Sequence, residues 1–155
     1  MGDSTPCNVV VLYTRDVEPR GLNLDAVIGR VGCSIRYVCV DSSTAEAPED
    51  IDCERFAGDV DWATTLVVLI TATASHTLCV DWIIQYSQRS NKRVVGIWAS
   101  GAERSLMPNG LDNHADAVVP AQSGNLVQAV CGGFDGWEHP DGTPYEPREI
   151  NRHCR

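Results

Sequence analysis

The stretch "TLVVLITATASHTLCVDWIIQYSQRSNKRVVGIW", residues 65–98, decides the fold. It opens on an unbroken apolar run, "TLVVLI" (65–70), and closes on another, "RVVGIW" (93–98). Runs of this kind, apolar without alternation, read as strands covered on both faces. Between them, 77–90 reads as the strongest helix of the chain. Its segment "CVDWIIQYS" (79–87) carries one charge, Asp81, among Trp82, Ile83, Ile84 and Tyr86. Strand, helix, strand in this order is the unit of a parallel sheet.

Working outward, further strand-like runs lie at "NVVVLY" (8–13), "IRYVCV" (35–40) and "AVVP" (117–120). Helical spacing of Leu24, Val27, Ile28 and Val31 predicts a helix over 22–31. An acidic, weaker one is predicted over 50–62, and a short one over 125–132, stopped by Gly132 and Gly133. The stretch 101–116 reads as loop with at most one turn of helix. The predicted fold is therefore α/β: a flavodoxin-like, three-layer domain over 1–131, its five-stranded parallel sheet in the order 2-1-3-4-5. Residues 132–155 form an irregular Gly/Pro-rich tail whose Phe134, Trp137 and Tyr145 are expected to pack on the domain.

The chain has 155 residues, enough for one domain with a real core. A net charge of −9 argues against a nucleic-acid backbone as partner, because such sites need clustered Lys and Arg. The longest apolar runs fall far short of the ~20 residues that span a bilayer, so no membrane contact is expected. "MGDSTPCNVVVLY" has neither the basic nor the apolar region of a signal peptide, and the expected location is the cytoplasm. The seven cysteines are an odd number, several lie within apolar runs, and reduced, buried thiols are the expectation. No metal is expected: Cys131, His139, His153 and Cys154 match no zinc spacing.

In an open parallel sheet, ligands bind beyond the carboxyl ends of the strands, at the switch point. Tyr13, Thr14, Arg15 and Asp16 follow the first run there, and Asp41, Ser42 and Ser43 follow the second. Thr71, Thr73, Ser75 and His76 follow the third, and Trp98 ends the fourth. Hydroxyls, one arginine, aspartates and aromatics suit a nucleotide-like ligand with phosphate and ribose. Neither GxxxxGK[ST] nor GxGxxG occurs. A response-regulator receiver would need an acid where Ile70 and Thr71 stand, and "YTRDVEPRG" is not a flavodoxin phosphate loop.

Residues 65–101 resemble the TIR-like family of bacterial antiphage defence, including the Thoeris-type proteins. That family runs strand, "VLIG", polar turn with Thr, a helix of the form "WVxxEI", basic turn and "IIGI". Here "VVLI" (67–70), "CVDWII" (79–84), "NKR" (91–93) and "VVGIW" (94–98) align with it without gaps. Asp16 and Asp41 match its aspartates after the first two strands, and "MPNG" (107–110) and "AVVP" fit loosely. The resemblance implies a flavodoxin-like domain that handles NAD or a related nucleotide. Many such domains cleave the nicotinamide–ribose bond or make cyclic or conjugated ADP-ribose signals, and commonly self-associate or act with an effector partner. The family's catalytic glutamate steadies the charge that develops as nicotinamide leaves.

In this chain the family tryptophan is Cys79 and the glutamate is Ile83. An isoleucine can do none of that electrostatic work. Asp81 is two positions earlier and projects elsewhere, since i and i+2 stand about 200° apart on a helix. The resemblance therefore implies a degenerate TIR-like protein that binds an NAD-related nucleotide or assembles with itself or a catalytic partner. The alternative is an active NAD-cleaving enzyme with a relocated carboxylate: Asp81, Asp41, Asp16 or Glu103. A third is an unrelated flavodoxin-like nucleoside-processing or interaction module. The candidate ligand-binding residues are Tyr13, Thr14, Arg15, Asp16, Thr71, Thr73, His76 and Trp98.

Overall fold

The computed structural model describes residues 7–14, 24–40, 53–71, 78–99, 109–140 and 142–143. The strands are β1 (Asn8–Tyr13), β2 (Ser34–Cys39), β3 (Thr65–Ile70), β4 (Arg93–Trp98) and β5 (Ala117–Pro120). The helices are α1 (Leu24–Ile28), α2 (Ala57–Trp62), α3 (Leu78–Arg89), α4 (Asn109–His114) and α5 (Leu126–Cys131). Short 3-10 turns extend α1 (Gly29–Val31) and lead into α2 (Cys53–Phe56). The sheet order is β2-β1-β3-β4-β5, as the sequence predicts, and every strand pairing is parallel.

Alternation along the strands splits the core into two layers. Val10, Leu12, Leu66, Val68, Ile70, Val94 and Trp98 face one side, where Val60 of α2, Val80, Ile83 and Ile84 of α3, and Leu111 of α4 cover them. Val9, Val11, Val67, Leu69, Val95 and Ile97 face the other, against Leu24 and Ile28 of α1 and Leu126, Ala129 and Val130 of α5. All six residues of β3 are buried, which accounts for its unbroken apolar run.

The apolarity of α3 has the same origin, with one more neighbour. It lies on the sheet between α2 and α4, which contact it from either side. Trp82 and Tyr86, one turn apart, stack with centroids 5.2 Å apart, and both pack against the first core layer. The Tyr86 hydroxyl donates to Asp61 Oδ1 of α2 at 2.8 Å. That hydrogen bond, first, and then desolvation hold the phenol above its ordinary range. Only Gln85, Gln88 and Arg89 of the helix are exposed among its described side chains.

The stretch 101–116 corrects the expectation of a loop with at most a turn, since 109–114 is a six-residue helix. Its sequence, "NGLDNH", has no apolar periodicity of its own, and tertiary packing decides it. Leu111 is fully buried. Two glycines make the approach possible. A Cβ on Gly96 of β4 would stand 3.1 Å from the Leu111 and Ile70 methyls. One on Gly110 would stand 2.9 Å from Asp81 Oδ1 and 3.1 Å from two Ile84 methyls.

The segment after α5 runs back along β5. Val118 donates to the Gly136 carbonyl at 3.1 Å and accepts from the Glu138 N–H at 2.7 Å. Phe134 packs on one core layer and Trp137 on the other. Arg93 secures the return: its guanidinium donates to the Ala129 carbonyl at 2.7 Å, to the Phe134 carbonyl at 2.5 Å and to Asp135 Oδ1 at 2.7 Å. A cation on the last carbonyls of a helix also complements its dipole.

The cysteines depart from the expected reduced state. Cys7 is bonded to Cys33 and Cys53 to Cys79, with Cys39 and Cys131 free among the described residues. Both bonds join residues far apart in sequence, so no spacing announced them. No helix of the described residues is long and apolar enough to cross a membrane.

Gly110→Ala is expected to lower the unfolding free energy by about 1–3 kcal/mol in urea titration, the range for an overpacked contact. Gly124→Ala, where a Cβ meets nothing within 4 Å, is expected to leave stability nearly unchanged.

Candidate functional site

The switch point of this sheet lies between β1 and β3, whose next neighbours, β2 and β4, lead away in opposite directions. Thr14 and Thr71 follow these strands directly, and both are buried. Their hydroxyls meet at 3.0 Å, one donating to the other. The structure thus brings two predicted site residues, 57 positions apart, into direct contact. Tyr13 is half-buried one residue earlier on the opposite face of the sheet, edge-on to Tyr37 of β2 with centroids 6.4 Å apart.

Trp98 ends β4 inside the first core layer, 2 % exposed. Its indole N–H donates to the Glu138 carbonyl at 2.7 Å. The ring therefore fills the core and anchors the returning segment. Arg15, Asp16, Asp41, Thr73, His76 and Glu103 lie outside the described residues.

Asp81 is half-buried and projects away from the Ile83 position, as the helical spacing implies. Its Oδ1 accepts the Gly110 N–H at 2.9 Å, so the carboxylate serves a backbone donor in the first turn of α4. Asp81 also lies in the first turn of α3, where a negative charge is favoured. The hydrogen bond gives it a structural occupation, joining α3 to α4.

Ile83 stands where the resemblance puts the family's glutamate. It is 1 % exposed and belongs to the core layer with Cys79, Val80, Ile84 and Trp98. One turn on, Ser87 is fully buried and returns its hydroxyl to the Ile83 carbonyl at 2.8 Å. The inner face of α3 is thus apolar where the family's helix carries an acid. The family's tryptophan position, Cys79, is half of a disulfide to Cys53.

The buried acid of the described residues is elsewhere, at Glu138, in the segment the sequence reads as tail. Its Oε1 accepts from the Ser123 hydroxyl and its Oε2 from the Asn125 side-chain amide, each at 2.7 Å. Ser123 Oγ in turn accepts the Asn125 N–H at 2.9 Å. Both carboxylate oxygens are held, and the group clips the returning segment to the turn between β5 and α5. Nothing in "FDGWEHP" (134–140) signals this, because the partners come from a turn met only after the chain folds back.

Comparison with protein-family models and with curated proteins found no match. The resemblance to TIR-like domains rests on the residues quoted for it.

Ile83→Glu is expected to unfold the protein or weaken it by several kcal/mol, because it places a carboxyl without a partner in the core. Burial raises a carboxyl's pKa, so the loss should grow as pH rises above about 4.3 and ease below it, as thermal melts across pH would show. Ile83→Val should cost only about 0.5–1.5 kcal/mol. Glu138→Ala leaves Ser123 and Asn125 without their acceptor and is expected to cost about 1–3 kcal/mol in the same assay.

Proposed function

We propose that the protein is a TIR-like domain that has lost NAD cleavage and acts by binding an NAD-related nucleotide at the carboxyl ends of its strands. The observation that carries this reading is Ile83. The likeness puts a catalytic glutamate at that position, and the side chain found there is apolar and enclosed in the core. A doubly wound sheet in the order 2-1-3-4-5, with two threonine hydroxyls together at the switch point, supports a ligand at that end.

Of the carboxylates named for the alternative, Asp81 is the one among the described residues, and it is engaged by the Gly110 N–H. A cleaving enzyme would thus draw its acid from Asp16, Asp41 or Glu103. In the proposed role the bound nucleotide is a signal rather than a substrate. Its reader would be a second copy of the chain or an effector protein, as self-association and partner binding are common to TIR-like domains. This reading keeps the protein in the cytoplasm, where its two disulfides would face a reducing thiol pool.

The test joins two measurements on the wild-type protein. Calorimetric titration with NAD and with ADP-ribose is expected to give saturable binding. Chromatography of a long incubation with NAD is expected to show no nicotinamide release. Release would overturn the reading and send mutagenesis to Asp16, Asp41 and Glu103. Absence of binding by both nucleotides would reduce the resemblance to one of fold.

A further inference from the structure

At the other end of the sheet, three cysteines converge from three separate elements. Cys7 leads into β1 and Cys33 into β2, and the register Asn8↔Ser34 sets them side by side. The Ser34 N–H donates to the Cys7 carbonyl at 2.8 Å, which holds that pairing outside the strands. Cys131 is the last residue of α5, a helix fixed there by Thr65 Oγ1 on the Val130 carbonyl at 3.3 Å and by Arg93 Nε on the Ala129 carbonyl at 2.7 Å. The three sulfurs all lie within 4.8 Å of one another.

Two of the three are joined and one is a thiol, and their exposures differ. Cys131 is exposed, Cys7 is half-buried and Cys33 is 9 % exposed. An external reagent thus meets Cys131 first, while the bonded pair lies behind it. The second disulfide, Cys53–Cys79, has no such neighbour among the described residues.

We infer that Cys131 is an exchange thiol through which the Cys7–Cys33 disulfide is opened and closed by low-molecular-weight thiols and disulfides. In the opening direction the Cys131 thiolate attacks Cys7 Sγ. The Cys7–Cys33 bond breaks, a Cys7–Cys131 bond forms, and Cys33 leaves as thiolate. An external thiolate then attacks the exposed Cys131 sulfur. It releases Cys7 as thiolate and leaves a mixed disulfide on Cys131, which a second external thiolate removes. In sum two external thiols are oxidised to one disulfide and the protein pair is reduced to two thiols. Closing runs the same steps backward, with an external disulfide as oxidant. The chemistry needs a sulfur nucleophile close to the disulfide and open to the reagent, and Cys131 is both close and exposed.

The native protein would be exposed to reduced glutathione, quenched by alkylation at intervals, and each disulfide followed by mass spectrometry. Cys131→Ser is expected to slow the opening of Cys7–Cys33 by ~10-fold or more, since attack must then fall on the less accessible pair. Opening of Cys53–Cys79 should keep its rate in the same samples, as should both bonds in Cys39→Ser. Cys33→Ser is expected to accumulate a Cys7–Cys131 disulfide under oxidised glutathione, with circular dichroism confirming that it remains folded. Opening of Cys7–Cys33 at an unchanged rate in Cys131→Ser would overturn the inference. So would the absence of a Cys131 link in folded Cys33→Ser.

Discussion

The burial of β3 on both faces is the constraint from which the rest of the architecture follows. A central strand without an outward side must be covered above and below, and in a parallel sheet the crossover helices supply the cover. Six buried positions in a row, Thr65 to Ile70, commit the chain to helices on two sides. The two core layers are the result: α2, α3 and α4 over one set of alternating strand residues, α1 and α5 over the other. The same geometry puts Thr14 and Thr71 together at one end of the sheet and the three cysteine sulfurs together at the other.

The helix α3 owes its apolar composition to its neighbours. Its inner face meets the sheet, its flanks meet α2 and α4, and little of it is left for solvent. In that setting Ile83 is an ordinary core residue, and a carboxylate there would need a polar partner or a path to water. Asp81, two residues before, is turned toward α4 and spends its charge on a backbone N–H. The low polarity of "CVDWIIQYS" is thus accounted for by packing on three sides.

The segment after α5 joins the domain by a single bridge to β5, by the packing of Phe134 and Trp137, and by polar contacts that fix it in place. Glu138 accepts from Ser123 and Asn125, its carbonyl takes the Trp98 indole, and Arg93 collects two carbonyls and a carboxylate. These are charge-assisted or buried hydrogen bonds, strong where both partners are present and costly where one is lost. They fix the end of α5 as well, and with it the place of Cys131 beside the Cys7–Cys33 bond.

The sequence by itself determined the elements whose signal is local. β1, β3, β4 and β5 stand where the apolar runs put them, α3 is within a residue of its predicted bounds, and alternation of runs and helices was enough to imply the sheet order. At the site it was enough to place Thr14 and Thr71 at the ends of neighbouring strands. Tertiary structure alone decided whatever depends on two distant residues meeting. The helix α4 has no periodicity and exists because Gly96 and Gly110 leave room for it; Glu138 is buried because a turn at Ser123 receives it; the disulfides join cysteines that sequence distance keeps apart. Periodicity reports how one segment meets its own surroundings, on average, over several residues. A contact between two single side chains leaves no such repeat, and only the folded chain brings its two halves together.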